Sequence, residues 1–347
     1  MSEIIRTRGY NIYIGQGLID EAGQFFAAYG GRQACIVSDT NVAGLYADKL
    51  AAALQKVHIK VKTVVIPAGE DSKSVEMLLY LYKEMTDISL ARSDLVVALG
   101  GGVIGDLAGF AAATYMRGVN FVQVPTSLLA QVDSSIGGKV AIDLPQGKNL
   151  VGSFYDPSLV IVDTELLHTL DERQKAAGMA EIIKYASIKD SLLFELLEKG
   201  VAAQDLSTLV ARSIAIKKSY VEKDPWDKGI RAELNFGHTL AHAIESTLAY
   251  KNILHGEAVA IGMAAAASLS EKIALAPPGT SKSIKDVLQA YDLPVTMPRL
   301  DNNKLQAAFR LDKKGAGVVV LLQHIGQAVI KQVDESFLHS LVQEVKG

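Results

Sequence analysis

Four short apolar runs, each closed by a cluster of turn residues and followed by a helical pattern, constrain the first half of this chain more than any other feature. Ala34 to Val37 ends at Ser38-Asp39-Thr40-Asn41, Val61 to Ile66 ends at Pro67-Ala68-Gly69-Glu70, Leu95 to Leu99 ends at three glycines, and Phe121 to Val124 ends at Pro125-Thr126-Ser127. This alternation is the signature of βαβ units around a mainly parallel sheet. Ligands of an open α/β sheet bind beyond the carboxyl ends of its strands. The four loop starts therefore form a candidate cofactor wall. Past about residue 170 the apolar period lengthens to 3.6, over Glu172 to Lys199, Ala203 to Glu222, Gly237 to Leu248, Gly256 to Ile273 and Ser281 to Tyr291. Val318 to Gln323 and Ala328 to Val333, across His324-Ile325-Gly326, read as a late hairpin. The expected organisation is an α/β domain over 1–165 and a mostly α-helical domain over 166–347.

Composition narrows the partners. With 35 Lys and Arg against 38 Asp and Glu, the net charge of −3 provides no global field for nucleic acid or an anionic membrane. An anionic substrate must be caught by a local cluster. Uncharged stretches such as Ala258 to Ser270 fall short of the roughly 18 apolar residues of a membrane span. The lone Cys35 forms no intrachain disulfide, and the start Met-Ser-Glu-Ile-Ile-Arg has no charged-then-apolar leader, which together predict a cytoplasmic protein.

The run from Asp94 to Asp106 places Gly100, Gly101, Gly102 and Gly105 between a strand and an Ala-rich helix, where bare backbone N–H groups can approach a pyrophosphate. The spacing fits G-x-G-x-x-G, but about 20 residues on stands Asn120 and no acid for the ribose hydroxyls. An ordinary dinucleotide fingerprint is therefore not met. From Pro125 to Lys139, small hydroxyl residues, Asp133, Gly137-Gly138 and a lysine converge without apolar period, and Lys148-Asn149 follows. Together with Arg117, these residues supply donors suited to phosphate oxygens.

Three of the seven histidines, His238, His242 and His255, cluster in the second half. That clustering suggests a divalent metal, for which three protein ligands and an open position are the usual catalytic arrangement. Spacing at i, i+4 alone pairs His238 with His242, and Glu181, Glu245 or Glu257 could each supply a carboxylate. Lys184 lies one turn after Glu181, while Lys217, Arg231 and Asn235 precede the histidine segment and Lys313-Lys314 comes later.

Taken together, Gly100-Gly-Gly-Val-Ile-Gly-Asp106, Ala113-Thr-Tyr-Met-Arg-Gly118, Val124 to Lys139, Gly147-Lys-Asn149, Ala180-Glu-Ile-Ile-Lys-Tyr185, Leu234-Asn-Phe-Gly-His238 and His255-Gly-Glu257 closely resemble the 3-dehydroquinate synthase family, over nearly the whole chain from Asp39 to Lys314. Some positions depart from its commoner pattern: Ala241 stands for a frequent glycine, Val140-Ala141-Ile142-Asp143 for a Thr-Gly-Val-Asn-like run, and Pro225-Trp226 for a charged pair. The resemblance implies a homodimer with a Rossmann-like NAD-binding domain, a helical domain, and a divalent metal in the cleft between them, usually zinc with cobalt as an alternative. It implies Glu181, His238 and His255 as metal ligands, and moves His242 to the substrate. NAD positions carry over onto Asp39, Asn41, Glu70, Lys73, Gly101, Gly102, Val103, Asp106, Thr126, Ser127, Lys139, Lys148 and Thr169. Substrate positions carry over onto Arg117, Asp133, Lys139, Asn149, Lys184, Lys217, Arg231, Asn235 and His242, and onto Lys313 or Lys314.

The reaction so implied converts 3-deoxy-D-arabino-heptulosonate 7-phosphate, a phosphorylated seven-carbon sugar acid, to 3-dehydroquinate and phosphate, in the shikimate route to aromatic amino acids. Oxidation at C5 acidifies the C6 proton, phosphate leaves, the hydride returns, and aldol closure forms the ring without net redox change. Two alternatives share such an architecture. One is another sugar phosphate cyclase such as 2-deoxy-scyllo-inosose synthase, and the other is a metal-dependent polyol dehydrogenase that releases NADH.

Overall fold

Strands rich in β-branched residues and buried on both faces dictate the N-terminal architecture. β3 (Gln33–Asp39), β5 (Leu95–Gly100) and β9 (Leu159–Asp163) are near-continuous apolar runs with almost every residue buried, as central parallel strands require. With β1 (Glu3–Arg6), β2 (Asn11–Gly15), β4 (Lys60–Ile66) and β6 (Asn120–Pro125) they form a sheet of order β1-β2-β9-β6-β5-β3-β4. Every neighbouring pair is parallel except β1 with β2. The edge strand β4 alternates Lys60 and Lys62 with apolar residues, and a charged edge discourages pairing with other chains. The computed structural model describes residues 3–200, 206–248, 252–301, 304–305, 308 and 317–345, so Lys313 and Lys314 lie outside the described residues.

Helices cover both faces of this sheet. α1 (Gly23–Phe26) and α2 (Ala43–Gln55) pack Phe26, Leu50 and Leu54 against Ile36, Val97 and Ile161. α3 (Val75–Asp87) and α4 (Gly102–Thr114) set Leu81, Met85, Leu107 and Ala111 against Cys35, Val37, Val96 and Ala98. Adjacent residues of one strand thus enter opposite cores, which is the period of 2 at work. The order in which strands are added reverses between β3 and β5: β4 lies beyond β3, whereas β6 and β9 extend the sheet the other way. That is a topological switch point, where the carboxyl ends open a crevice. A separate antiparallel ribbon, β7 (Lys139–Leu144) with β8 (Gly147–Phe154), follows the stretch from Pro125 to Lys139 that shows no apolar period in sequence.

The chain divides into two compact units, Met1–Leu170 and Asp171–Gly347. The second is built on α5 (Glu172–Lys189), buried almost continuously from Ala177 to Ile188. Around it lie α6 (Ser191–Glu198), α7 (Leu206–Lys223), α8 (His238–Thr247), α9 (His255–Lys272), α10 (Thr280–Ala290) and the hairpin β10 (Val318–His324) with β11 (Gln327–Gln332). No helix among the described residues is long and apolar enough to cross a membrane.

The single helical pattern expected from Glu172 to Lys199 breaks at Asp190, for an identifiable reason. Asp190 leaves the helical region at φ −144°, its carboxylate accepts the Leu193 N–H at 3.0 Å, and Arg212 clasps it at 2.7 and 2.8 Å. The side chain ends one helix and caps the next. Asp190→Ala is expected to lower stability by about 1–2 kcal/mol in a denaturant titration, since it removes a cap and strands the Arg212 partner.

Candidate active site

Glu181 sits in the middle of α5, fully buried, while His238 and His255 are the first residues of α8 and α9. Close helix packing brings them together. A Cβ on Gly256 would fall 1.9 Å from the Ala177 carbonyl oxygen of α5, and one on Gly262 would fall 1.8 Å from the Gly237 carbonyl oxygen at the start of α8. Only glycine permits these approaches. As a result, His238 Nε2 lies 3.7 Å and His255 Nε2 3.6 Å from Glu181 Oε1, and one donor atom from each residue lies within 4.8 Å of the others. This is the one such cluster of His, Cys, Asp or Glu among the described residues.

The far ring nitrogens are engaged. His238 Nδ1 is 3.2 Å from the Phe236 carbonyl oxygen, and His255 Nδ1 is 3.3 Å from Glu245 Oε1. Each contact suits a proton on Nδ1 and leaves Nε2 facing Glu181. Burial and the neighbouring Lys184 cation hold His238 well below the usual imidazole range. Burial also pulls His255 down, but the Glu181 and Glu245 carboxylates outweigh it and lift it to about 10. The two carboxylates therefore favour positive charge on the His255 ring.

The structure does not group His242 with these three, despite its i, i+4 spacing from His238. It lies exposed, with its ring edge-on to His238 at 5.6 Å between centroids. Glu245 contacts His255 through a hydrogen bond, and Glu257 pairs with Arg173 at 2.5 Å and accepts the Leu254 N–H at 2.8 Å. Lys184 forms a buried ion pair with Glu181 and lies over the Tyr185 ring at 4.7 Å. Lys217 on α7 and Arg231 are also buried cations, the latter tied to the Pro225 carbonyl oxygen at 3.2 Å, whereas Asn235 is exposed.

In the N-terminal unit, most candidate cofactor residues follow the carboxyl ends of β3, β4, β5, β6 and β9, whereas Lys139 and Lys148 stand on the β7–β8 ribbon. Asp39 closes β3 by accepting the Asn41 and Val42 N–H groups at 2.8 and 3.1 Å. Gly101 precedes the first turn of α4 in extended conformation, with Gly102 and Val103 opening the helix. A Cβ on Gly101 would meet the Ser127 hydroxyl at 3.5 Å, and one on Gly102 the Ser134 hydroxyl at 3.2 Å. The Thr126 N–H donates to the Gly100 carbonyl oxygen at 3.0 Å, and Thr169 meets the Tyr46 hydroxyl at 2.5 Å. The free N–H groups and positive end of α4 suit an anion. Ser134 joins this cradle without having been named individually in the sequence; its place among the small hydroxyl residues of Pro125 to Lys139 was the available signal.

Lys73, buried, pairs with Asp106 at 2.6 Å and hydrogen-bonds the Asn149 side chain. Burial pushes the Asp106 carboxyl up to about 6 against the pull of Lys73. Lys148 reaches Glu70 at 3.2 Å. Asp133 lies half-buried on the wide helical turn Ala130–Ser134, and Lys139 is exposed at the start of β7. Arg117 stands on an exposed turn where Met116, Arg117 and Gly118 all have positive φ, at 50°, 64° and 118°. Arg92 fixes this turn by donating to the Met116 carbonyl oxygen at 2.8 Å. Successive left-handed residues cost of order 1–3 kcal/mol each and concentrate at functional sites.

Known proteins with the same pattern identify the relationship. The 3-dehydroquinate synthase N-terminal family model matches residues 63–177 and the C-terminal one residues 178–315. The 3-dehydroquinate synthase of Clostridium botulinum (strain Alaska E43 / Type E3) is 44% identical over 341 residues, covering 96% of this chain and 97% of its own. That of Symbiobacterium thermophilum is 47% identical over 315 residues, covering 88% of each. Among solved structures, a 2-deoxy-scyllo-inosose synthase complexed with carbaglucose-6-phosphate, NAD+ and Co2+ superposes with a TM-score of 0.91 at 26% identity, over 99% of this chain and 100% of that one. A 2-epi-5-epi-valiolone synthase from Streptomyces hygroscopicus subsp. jinggangensis with NAD+ and Zn2+ bound gives 0.87 at 29%, over 98% and 99%. Sequence identity is thus much higher to the dehydroquinate synthases than to the inosose and valiolone enzymes. With both family models matched in order and relatives more than two-fifths identical along nearly their whole length, the chain belongs to the 3-dehydroquinate synthase family.

Proposed function

We propose that this protein is a phosphate-eliminating cyclase that converts 3-deoxy-D-arabino-heptulosonate 7-phosphate to 3-dehydroquinate and phosphate, using NAD and a divalent metal, zinc before cobalt. The observation that carries this reading is the convergence of Glu181, His238 and His255 beside the buried Lys184. One carboxylate oxygen and two imidazole Nε2 atoms suit a zinc-like ion, and three protein donors leave a position for a substrate oxygen. When bound, the ion supplies Lewis acidity and the nicotinamide supplies a reversible hydride acceptor.

The remaining work falls to the chain's own residues. The Gly101–Val103 turn at the start of α4, with Thr126 and Ser127, would hold the NAD phosphates, and Asp39, Asn41, Glu70, Lys73, Asp106, Lys139, Lys148 and Thr169 would hold the rest of the dinucleotide. Arg117, Lys139, Asn149, Arg231, Asn235 and His242 hold the anionic ends of the substrate, with Asp133, Lys184 and Lys217 completing its contacts. Fixed cations and amides bind the departing phosphate without reorganising, which turns binding energy into rate. In this reading the NAD-binding domain is 1–165, the metal- and substrate-binding domain is 166–347, the protein is a cytoplasmic homodimer, and neither nucleic acid nor membrane is a partner.

The test is stoichiometric. Purified protein given the heptulosonate phosphate, zinc and a trace of NAD should release one phosphate per carbocycle formed, with no lasting absorbance of NADH. Steady NADH accumulation without phosphate release would instead assign a polyol dehydrogenase. The support given to His255 by Glu245 yields a finer expectation: Glu245→Gln should weaken zinc affinity about 10- to 100-fold, read by competition with a chelator. Unchanged affinity would remove Glu245 from the site.

A further inference from the structure

Asp143, which none of the candidate site residues includes, closes a three-membered ring of hydrogen bonds around two of them. Its own N–H donates to the Lys73 carbonyl oxygen at 2.8 Å. Lys73 Nζ donates to Asn149 Oδ1, and the Asn149 N–H donates back to Asp143 Oδ1 at 2.8 Å. The same Asp143 oxygen lies 4.0 Å from Lys73 Nζ. Asp143 reaches both partners because the β7–β8 ladder slips at this point: Ile142 pairs with Val151 and Leu144 with Gly147, leaving Asp143 in the irregularity between them. Bulges of this kind re-aim a side chain and recur next to active sites.

Asn149 has φ +56°, a left-handed conformation that asparagine adopts more readily than most residues with a side chain, and its N–H donates to Asp143. Without that acceptor, the left-handed turn loses its hydrogen bond to the hairpin, and the Asn149 amide and Lys73 ammonium lose their common register. Lys73 is already committed to Asp106 at 2.6 Å, so its head is held on one side by Asp106 and on the other by the Asn149 amide.

Resting on the function proposed above, we infer that Asp143 is a positioning residue: by accepting the Asn149 N–H it fixes the Asn149 amide against Lys73, and so couples a substrate contact to an NAD contact. The requirement is for an acceptor oxygen at this place, so asparagine can replace aspartate and alanine cannot. The experiment compares wild type, Asp143→Ala and Asp143→Asn for NAD affinity by calorimetry, for KM and kcat of phosphate release, and for melting temperature. Asp143→Ala should weaken NAD binding and lower kcat/KM for the sugar phosphate, each by about tenfold, as expected for loss of a hydrogen bond to a charged acceptor. Asp143→Asn should stay within about threefold of wild type in both, while the two variants melt within a few degrees of each other. Wild-type NAD affinity and kcat/KM in Asp143→Ala would overturn the assignment, as would Asn behaving no better than Ala. Loss of melting temperature with intact kinetics in the folded enzyme would overturn it too, reducing Asp143 to a hairpin brace. If the wild type binds NAD yet releases no phosphate, the proposed reaction fails, and the ranking of NAD affinities still decides the role of Asp143.

Discussion

Glu181→Gln is expected to abolish turnover and metal content together, with phosphate release falling by at least about a thousandfold. Lewis-acid stabilisation contributes several kcal/mol to a developing oxyanion, and each 1.36 kcal/mol is a factor of ten in rate. The substitution acts twice. It removes the anionic member of the cluster at the point both imidazole Nε2 atoms face, and it leaves Lys184 as a buried cation without its partner carboxylate. Breaking a buried pair in this way costs about 3–5 kcal/mol, so the variant should also melt early. His238→Ala separates the two effects, because His238 is less deeply buried and forms no pair with Lys184. It should fold, lose zinc as measured by atomic absorption, and lose activity to the same extent. A His238→Ala enzyme with one zinc per chain and full rate would contradict the proposed ligand set.

Gly256→Ala should, with Gly262→Ala, be among the most disruptive one-carbon changes in the C-terminal unit. The added methyl would lie 1.9 Å from a backbone oxygen of α5, where no side chain can swing aside. Forcing atoms into a packed core costs typically 1–3 kcal/mol, and a backbone obstacle places this case at about 3 kcal/mol or above. For a unit of this size that is a fall in melting temperature of roughly 6–12 °C. Because α5 carries Glu181 and α9 begins at His255, separating them also spreads the metal donors, and zinc affinity should fall with stability. Gly44→Ala is the control: nothing lies within 4 Å of its added carbon, and stability should be unchanged or slightly higher. Equal melting of the Gly256→Ala and wild-type proteins would show that the helix contact yields more easily than its geometry implies.

Much of the fold is legible in sequence because its signals are local. The strands β3, β4, β5 and β6 stand where short apolar runs meet turn residues, and the four candidate loop starts fall at their carboxyl ends. The β7–β8 ribbon escaped the same reading because its outer strand is exposed from Asn149 to Phe154, so no buried face imposes a period. The break at Asp190 is likewise hidden, since one side chain serving as cap and as the partner of Arg212 leaves the 3.6-residue pattern intact on either side. The metal cluster shows the limit most clearly. Helix spacing selects His238 and His242, which share one helix, but the structure draws together two histidines at the starts of different helices and a glutamate buried in a third. What unites them is the close approach at Gly256 and Gly262, a long-range contact that carries no periodic signature. The resemblance to a family supplied that ligand set where spacing could not.

The central claim is that Glu181, His238 and His255 hold one divalent ion, and anomalous diffraction at the zinc edge tests it most directly. Crystals grown with zinc and NAD should show a single strong peak about 2.0–2.2 Å from a Glu181 carboxylate oxygen and the Nε2 atoms of His238 and His255. A peak bound elsewhere, or three side chains that remain in place with no ion among them at saturating zinc, would contradict the account.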